Sequence, residues 1–393
     1  MANDLTNILP KILSRGLLAL REATVLPRLV NLDYSTEAAQ KGTTIDVPIS
    51  TAISATDVSP SNSYPTPDDT TPDVVQIQLN KWKKNTPFFL NDKELVEIDK
   101  NAHFLPLQMS EAVKGLATQV NSDIFSEIQT GVGNLVNPAG DTIAIADITE
   151  ARKRLHIGGA PQTDRVFVTN YEAEADLLQL AAFSQYQTGG SATDSIQMRG
   201  EIGERYGFRF FADDNTPLHT GGTSLGVGTP KINGTFTVGA RTIAIDGAGS
   251  SNTTLKAGDS FSIAGDDTHY VVTADNTASS GSHSAVSIAP GLKVAPSDNA
   301  DVTFIDANAG STGRVAIAFH RDAIAFATRP LLASTLDVQG GSSMMSMTDP
   351  ETGLSLRLEI QRQYKQVSYE FDILYGVKVV RPELACKVFT STS

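Results

Sequence analysis

Hydrophobic and polar residues alternate in two stretches near the start of the chain, which is the pattern of half-buried strands. The rising stretch is 44–49, and the returning stretch is 75–79, which continues through Trp82 toward Phe89. The residues between the two stretches are mainly Pro, Ser, Thr and Asp. A two-stranded ribbon is at best marginally stable alone in water. We therefore expect this ribbon to rest on another surface, that of a neighbouring subunit.

A second apolar pattern, at helical spacing, precedes the ribbon. Within 8–22, the residues on one stripe are Leu9, Ile12, Leu13, Leu17 and Leu20. Gly16 weakens this short helix. Because no local core surrounds the helix, its stripe docks either on its own subunit or on another one. The candidate intersubunit contacts of this N-terminal arm are Leu9, Ile12, Leu13 and Leu17.

The strongest helical signal follows the ribbon. From Met109 onward, apolar residues recur every three or four positions, at Val113, Leu116, Val120, Ile124 and Ile128. Pro106 marks the predicted start and Gly131 the predicted end. The helix should run for about 22 residues, or roughly 33 Å. We expect it to form a spine on which a sheet lies.

Helix and strand patterns alternate after this long helix. Asp147 and Glu150 have the spacing of a capping box at the start of a shorter helix, which Gly158 closes. A strand is predicted at 165–168 and a helix at 172–183. This order indicates an α+β fold.

The composition changes near Pro217, because the chain contains no Glu from there to Asp306. Short apolar runs alternate with turn residues throughout this segment. They predict six strands, at 235–238, 242–245, 261–263, 270–272, 286–288 and 302–305. Strands at this spacing favour a small antiparallel barrel or sandwich. The segment is predicted to be an inserted domain.

Patterns of the earlier kind return after Gly313. Apolar residues alternate from Arg314 and then switch toward helical spacing after Asp322. Two clean alternating strands, 354–360 and 367–373, close the chain with a short turn between them. They predict a long hairpin.

The charge balance argues against sequence-specific nucleic-acid recognition. The chain has 393 residues and a formal net charge of −13. Its only basic clusters are 81–84 and 152–154, whereas binding to phosphates requires many Lys and Arg residues. Charged residues make up 19% of the chain, below the roughly 25% of typical globular proteins. Such a neutral polar surface suits extensive contacts between copies.

The single cysteine, Cys386, excludes an internal disulfide framework and a multi-cysteine metal site. It also favours synthesis in a reducing cytoplasm. No apolar run approaches the roughly 18 residues that span a membrane. Lys11 and Arg15 interrupt the apolar residues near the start, which is not the pattern of a signal peptide.

Candidate catalytic and metal-binding motifs fail on their context. Residues 222–226 match the serine-hydrolase elbow, but they lack the preceding strand and following helix that would expose Ser224. No two of the six histidines have the helical spacing of a zinc site. The acidic pairs 213–214 and 266–267 lack a calcium-loop spacing. We predict no enzyme activity, no cofactor and no metal.

Three lysines surround the only tryptophan on the returning strand of the ribbon, in the order Lys81, Trp82, Lys83, Lys84. One interpretation is a charged edge that discourages wrong strand pairing. The other is that these lysines meet acidic groups of an adjoining subunit, with Trp82 as the anchor. We take all four as candidate intersubunit contacts.

The order of these parts resembles the major capsid protein of tailed bacteriophages, which has the Hong Kong 97-like fold. The sequence segments that carry the resemblance are 203–211, 318–325, 374–377 and 381–383. The segment 256–265 is similar to part of the inserted domain in the coat proteins of P-twenty-two-like podoviruses.

The resemblance implies an α+β capsid fold with an inserted all-β, barrel-like domain. It divides the chain into an arm with a short helix (1–42), an extended loop (43–91), a spine helix with a peripheral domain (92–160), the first part of an axial domain (161–216), the inserted domain (217–312), and the rest of the axial domain with return strands (313–393). It also implies a non-enzymatic structural role, in which hexamers and pentamers form an icosahedral head around double-stranded DNA.

The implied partners are other copies of the chain, a separate scaffolding protein and a portal, with a decoration protein as a further candidate. DNA is packaged without sequence-specific binding, and no membrane is involved. The implied location is the virion, after assembly in the cytoplasm of a bacterial host. The ribbon lysines are not assigned the covalent cross-linking known in one branch of the family.

Two alternatives stay open. An encapsulin-type compartment shares the fold but typically lacks a large inserted β domain, and its particles would contain protein cargo instead of DNA. A surface adhesin or fibre is suggested by the strands rich in Ser, Thr and Gly, but it should lack the spine helix and usually carries export signals.

Overall fold

The computed structural model describes residues 13–14, 16–20, 24–34, 44–49, 55, 57–58, 60–62, 73–93, 104–138, 142–184, 202–249, 252–305, 310, 312–331, 342–349 and 352–391. Residues 13–14 and 16–20 are helical. The other helices are α1 (Phe104–Gly131), α2 (Ile145–Ile157), α3 (Tyr171–Gln179) and α4 (Ala181–Ser184), with 3-10 turns at Leu26–Arg28, Arg321–Ala323 and Pro382–Leu384.

The strands are β1 (Thr44–Ile49), β2 (Asp73–Gln78), β3 (Lys81–Lys84), β4 (Phe88–Asn91), β5 (Leu135–Val136), β6 (Arg165–Thr169), β7 (Glu204–Arg205), β8 (Phe208–Ala212), β9 (Leu218–Thr220), β10 (Lys231–Ile232), β11 (Thr242–Asp246), β12 (Thr254–Leu255), β13 (Ser260–Ile263), β14 (His269–Val272), β15 (Asn276–Thr277), β16 (His283–Ala289), β17 (Val302–Phe304), β18 (Thr312–His320), β19 (Ile324–Thr328), β20 (Ser342–Thr348), β21 (Ser355–Gln363), β22 (Gln366–Val379) and β23 (Ala385–Ser391).

A sheet built on the closing hairpin, here the hairpin sheet, packs on the long helix. Its order is β19-β22-β21-β20, and β3 and β4 also pair with β22. Phe371 and Ile373 of β22 are fully buried in the same core cluster as Val120 and Ile124 of α1. The predicted spine helix and the predicted hairpin are confirmed. The helix begins at Phe104, earlier than predicted, because Pro106 is tolerated in a first helical turn, where its N–H is not needed.

A second sheet, here the mixed sheet, has the order β5-β23-β18-β6-β8-β7, with β9 paired to β18. The pairs β5–β23 and β6–β8 are parallel. The predicted strand at 165–168 is confirmed as β6, and all its residues are buried. Helix α3 begins after Asn170, whose side chain accepts a hydrogen bond from the Ala173 N–H, as expected of an N-cap.

The inserted segment forms a closed antiparallel barrel with a core of its own. Its strands follow the order β10-β11-β16-β14-β13-β17, and an antiparallel bridge between Lys231 and Asp301 joins the two ends of that order. Five of the six predicted strands are confirmed. The strand at 235–238 is wrong, since 235–237 are irregular, Val238 lies in a turn, and β10 supplies the sixth strand.

Two local predictions are wrong for reasons of packing and register. Residues 324–328, predicted to be helical, form strand β19. All five are buried, so the sequence shows no alternation of polar and apolar residues that would indicate a strand. The capping box is displaced, since the Asp147 carboxylate accepts from the Ala144 N–H at 2.7 Å. Glu150 instead forms ion pairs with Lys153 and Arg154.

The two-stranded ribbon is shorter than predicted, and part of it packs on its own chain. Strands β1 and β2 pair antiparallel from Thr44–Gln78 to Ile49–Asp73. Ile45, Val47, Ile77 and Leu79 are buried together with Ala325, Ala327 and Val380. The expectation that these residues find their cover on another subunit is therefore wrong for the base of the ribbon. Most of the polar tip lies outside the described residues, and those described at 55, 57–58 and 60–62 are exposed.

Candidate assembly surfaces

The four candidate contacts on β3 point alternately to the two faces of the hairpin sheet. Lys81 and Lys83 face α1, while Trp82 and Lys84 are exposed on the opposite face. The strand is held by β22, with Trp82 opposite Leu374 and Lys84 opposite Asp372. The cluster read from the sequence is thus two separate pairs of side chains.

Lys81 and Lys83 find their acidic partner within the chain, at Asp123 of α1. The distances from the two ammonium groups to Asp123 Oδ2 are 3.5 and 3.8 Å. The Tyr375 hydroxyl donates to the same oxygen at 2.7 Å, and the pKa of Tyr375 is raised by burial and by this contact. Asp123 thus ties β3 to the spine helix, and contact of these two lysines with another subunit stays a prediction.

The opposite face of the hairpin sheet, here the outer face, exposes Trp82 (63%) and Phe89 (59%). The Trp82 indole donates to Asp372 Oδ2 at 2.9 Å. The Arg357 guanidinium ion-pairs with Asp372 and lies 5.9 Å from the centre of the Trp82 ring. The hydrogen bond to Asp372 raises the pKa of Arg357. These contacts hold the large tryptophan in one orientation while leaving most of it open to contact.

Lys84 is an exposed basic residue on this face. Its ammonium lies 3.1 Å from Glu370 Oε1, and such an exposed pair contributes little to stability. The outer face thus combines two aromatic side chains with a row of charges. Aromatic side chains such as these are enriched at protein contact surfaces. Trp82 and Lys84 remain candidate intersubunit contacts.

The described residues of the N-terminal arm lie inside the chain's own core. Leu13 is fully buried and Leu17 is 7% exposed. A Cβ at Gly16 would lie 3.4 Å from Leu356 and 3.5 Å from Val113, so the helix sits between the hairpin sheet and α1. Of the two docking modes left open, the structure shows Leu13 and Leu17 docked on their own subunit. Leu9 and Ile12 lie outside the described residues.

A polar cluster that the sequence did not reveal joins the barrel to the body. Lys387 of β23 is 1% exposed, and its ammonium donates to Gly258 O of the barrel at 2.8 Å and to Gln129 O near the end of α1 at 3.2 Å. Nearby, the Gln129 amide donates to His219 Nδ1, and His219 Nε2 donates to Asp259, both at 2.9 Å. We call Gln129, His219, Gly258, Asp259 and Lys387 the barrel seam.

Asp259 also organises the point where the chain enters the barrel. Its fully buried carboxylate accepts from the Lys256 N–H at 2.7 Å and from the Gly222 N–H at 3.2 Å. Gly133 approaches the barrel so closely that a Cβ there would lie 2.0 Å from His269 O. Such dense contacts fix the barrel against α1 and the mixed sheet. No sequence pattern signals them, since they join residues far apart in the chain.

Ser224 does contact a histidine, in an arrangement that superficially resembles a catalytic triad. Ser224 Oγ lies 2.9 Å from His283 Nε2, and His283 Nδ1 lies 2.7 Å from Asn276 Oδ1. Both Ser224 and His283 are fully buried, and burial lowers the pKa of His283. A hydroxyl enclosed in this way is out of reach of a substrate, so the contact satisfies buried polar groups.

The thiol of the single cysteine, Cys386, is likewise fully buried. Burial raises the pKa of the Cys386 thiol to about 12.

Among the described residues, no three His, Cys, Asp or Glu side chains lie close enough together to hold a metal ion. Within the same residues, no helix has the length and apolar character needed to cross a membrane.

Comparisons with known proteins detect the chain by structure alone, since no family model and no curated protein sequence matches it. The solved "Capsid structure of the Cyanophage P-SCSP1u" aligns with a TM-score of 0.50 at 12% identity, over 94% of this chain and 89% of that one. A structure from Mycobacterium phage Che8 aligns with a TM-score of 0.49 at 17% identity, over 93% and 90%. A virus-like particle from Pyrococcus furiosus gives 0.42 at 8% identity, over 96% and 98%.

At 12% identity the cyanophage match is evidence of a shared fold. The alignment takes in nearly the whole of each chain. Together with the ribbon and the inserted barrel, this bears out the expected fold class. The chain therefore has the Hong Kong 97-like capsid fold, with a β barrel inserted into it.

Proposed function

We propose that this protein is the structural subunit of an icosahedral phage head. The observation that carries the proposal is the fold, shared over 94% of the chain with a protein from a cyanophage capsid. The role is structural and non-enzymatic. It requires self-complementary surfaces, and the outer face with Trp82 and Phe89 is our candidate for one of them.

Assembly through such surfaces does not need strong individual contacts. Each subunit of a closed shell touches several others, so that weak contacts act together. Exposed aromatic side chains such as Trp82 supply the largest contribution per residue at protein contacts. We propose that Trp82 and Lys84 meet a neighbouring copy within hexamers and pentamers, and that Leu9 and Ile12 of the arm contribute to contacts between copies.

The domain organisation proposed for this role keeps the predicted boundaries. The arm is 1–42, the extended loop 43–91, and the spine helix with its peripheral domain 92–160. The axial domain begins with 161–216, and 313–393 supplies the rest of it together with the return strands to the peripheral domain. The inserted barrel is 217–312, and its seam with α1 supports a stabilising role for the barrel in its own subunit.

We further propose a separate scaffolding protein, a portal, a decoration protein and packaged double-stranded DNA as partners. The net charge of −13 supports packaging without tight binding, because a surface of the same sign as DNA does not adhere to it. Synthesis and assembly would then take place in the cytoplasm of a bacterial host.

The proposal is tested by expressing the full chain with and without a scaffolding protein from the same genome and imaging the products by negative-stain electron microscopy. We expect closed shells of uniform size with the scaffold. Mass spectrometry and nuclease treatment of particles from infected cells should show DNA. Particles that hold protein cargo and no DNA would indicate an encapsulin-type compartment, and a persistent monomer would contradict both.

A further inference from the structure

Strand β20 differs from the other edge strands because its outer edge lacks the usual protection against pairing with another chain. An edge strand presents unpaired N–H and C=O groups that can recruit another chain. Proteins protect such edges by closure, short strands, charge or proline. β20 pairs with β21 on one side, and in the part of the chain that the structure describes no strand pairs with its other side.

The other margins within the described residues each show one of these protections. The barrel closes on itself through the Lys231–Asp301 bridge. The mixed sheet ends in β5 and β7, which have two residues each. In the ribbon, β1 contains Asp46 and Pro48 and β2 contains Asp73. On the far side of the hairpin sheet, β3 carries three lysines, β4 has four residues, and Asn31 bridges β19.

β20 has none of these protections. Its seven residues, Ser-Ser-Met-Met-Ser-Met-Thr, include no charge and no proline. Its register with β21 is regular from Ser342–Gln361 to Thr348–Ser355, without a bulge. Met345 and Met347 pack on the core of the hairpin sheet, which places Met344 and Ser346 on the outer face. The result is a straight, neutral edge of full strand length.

We propose that the outer edge of β20 pairs antiparallel with β20 of a second copy of this chain, across a two-fold axis. The proposal rests on the proposed shell function, which brings copies together, and it names one contact through which they meet. The hairpin sheets of the two copies become one continuous sheet. An isologous contact of this kind is self-limiting, because it uses the same edge of both copies.

The side-chain alternation determines the register. Residues opposite each other must point to the same face, because a shift by one would turn methionines from the core toward solvent. The two-fold axis therefore lies midway between one residue and the same residue of the second copy. When that residue is Met345, all seven residues of β20 pair. When it is Met344, only 342–346 pair.

In the register centred on Met345, Met344 lies opposite Ser346 of the second copy, and Met347 lies opposite Ser343. No charged side chain lies opposite its like, which would destabilise the pair. The neutral sequence of β20 therefore fits a second β20. It fits β3, with its three lysines, less well, because a neutral strand gives the lysines no partner.

The test is disulfide trapping in the double variant Met344→Cys/Ser346→Cys. In the proposed register each new cysteine faces the other type in the second copy, within bridging distance for directly opposed residues. Each single variant is a matched control, since its cysteines are diagonal to each other, about 7–8 Å apart, and do not bridge. Native Cys386 is fully buried and adds no background.

We expect oxidised particles of the double variant to give a covalent dimer on a non-reducing gel, and particles of either single variant to stay monomeric. Particles that assemble but give no dimer overturn the pairing and leave the shell function standing. Equal dimer in the single variants also overturns it. If the wild-type chain forms no particles, the shell function fails and the pairing fails with it.

A second measurement covers the case in which the double variant does not fold. Hydrogen exchange of the wild-type chain compares unassembled subunits with particles. We expect the outward amides of β20 to become protected on assembly, while the amides already bonded to β21 change little. Unchanged exchange across 342–348 in particles overturns the proposal, and so does density for a different protein along this edge.

Discussion

The barrel and the hairpin sheet solve the same problem in opposite ways. Both are antiparallel and both carry a buried apolar core. The barrel closes its edges and covers its outer polar groups against α1 and the mixed sheet. The hairpin sheet leaves the outer face with Trp82 exposed, and its long edge strand β20 pairs on one side only among the described residues. Closure serves the stability of the single chain, and openness leaves surfaces for other copies.

The largest effect should come from removing the closed region. Deleting 217–306 takes away the barrel side of the seam, including Gly258 O, and leaves the buried Lys387 ammonium with fewer acceptors. Because the apolar surface under the barrel also becomes exposed, we expect an aggregating chain. Sedimentation and electron microscopy of the soluble fraction measure this. Well-formed shells from the deletion variant would show that the barrel is dispensable.

A single substitution in the seam should have the next largest effect. Lys387→Met removes the ammonium that bonds Gly258 O and Gln129 O. We expect a loss of about 4 kcal/mol in the free energy of unfolding, at roughly 2 kcal/mol for each buried carbonyl left without a donor. Urea unfolding of the unassembled subunit measures it.

The matched control for this substitution is Lys378→Met on β22. Lys378 is half exposed and forms an ion pair with Glu127, so its loss should cost less than about 1 kcal/mol. Equal losses in the two variants would mean that the seam does not hold the barrel in place.

A second contact between the barrel and the body, that of His269 of β14 with Gly133, predicts a dependence on pH. Burial, and then the charge of Arg154, lower the pKa of His269 to about 4. An unfolded histidine takes up its proton below about pH 6.5, so the folded state loses stability as the pH falls from that value toward 4. The loss should reach about 3 kcal/mol.

Comparison of the wild type with His269→Asn isolates this contribution. The difference in unfolding free energy between the two proteins should be constant above pH 7 and should shift in favour of the variant between pH 6.5 and 4. Parallel curves through this range would show that His269 is not held neutral in the folded chain.

Sequence reasoning predicted the elements of the hairpin sheet and its helix better than it predicted which surfaces pack against them. Alternation found β21 and β22, and the three-to-four spacing found α1, because each presents one apolar face. It missed β19, whose five residues are all buried and so show no alternation. It also assigned Leu13 and Leu17 to a neighbour, because periodicity reports that a face is buried and does not identify the surface that covers it.

Sequence reasoning also grouped the lysines of β3 into one cluster, although they lie on two faces of the sheet. Lys81 and Lys83 point to the face opposite Lys84, and their partner Asp123 lies on a helix that only the tertiary fold brings near. Lys387 gave no signal at all, since a lysine in a strand is normally read as exposed. Alternation within β3 was the one available clue, and it separates the two lysines from Trp82.

The smallest effect on stability, and the most specific effect on assembly, should come from Trp82. Because its side chain is 63% exposed, Trp82→Ala should change the free energy of unfolding by less than about 1 kcal/mol. It should nevertheless slow or abolish particle formation, measured by light scattering with the scaffolding protein. The matched control is Tyr364→Ala at the hairpin turn, where the ring is 86% exposed. Normal assembly of the Trp82 variant would show that the outer face does not take part in the contact between copies.

The most direct test of the central claim is a cryo-electron microscopy map of particles formed by the full chain. We expect a closed shell in which a second copy covers the outer face around Trp82, while the barrel stays seated on the α1 of its own subunit. A map in which Trp82 faces solvent and the barrels alone join the copies would contradict it, as would a chain that stays monomeric under every assembly condition.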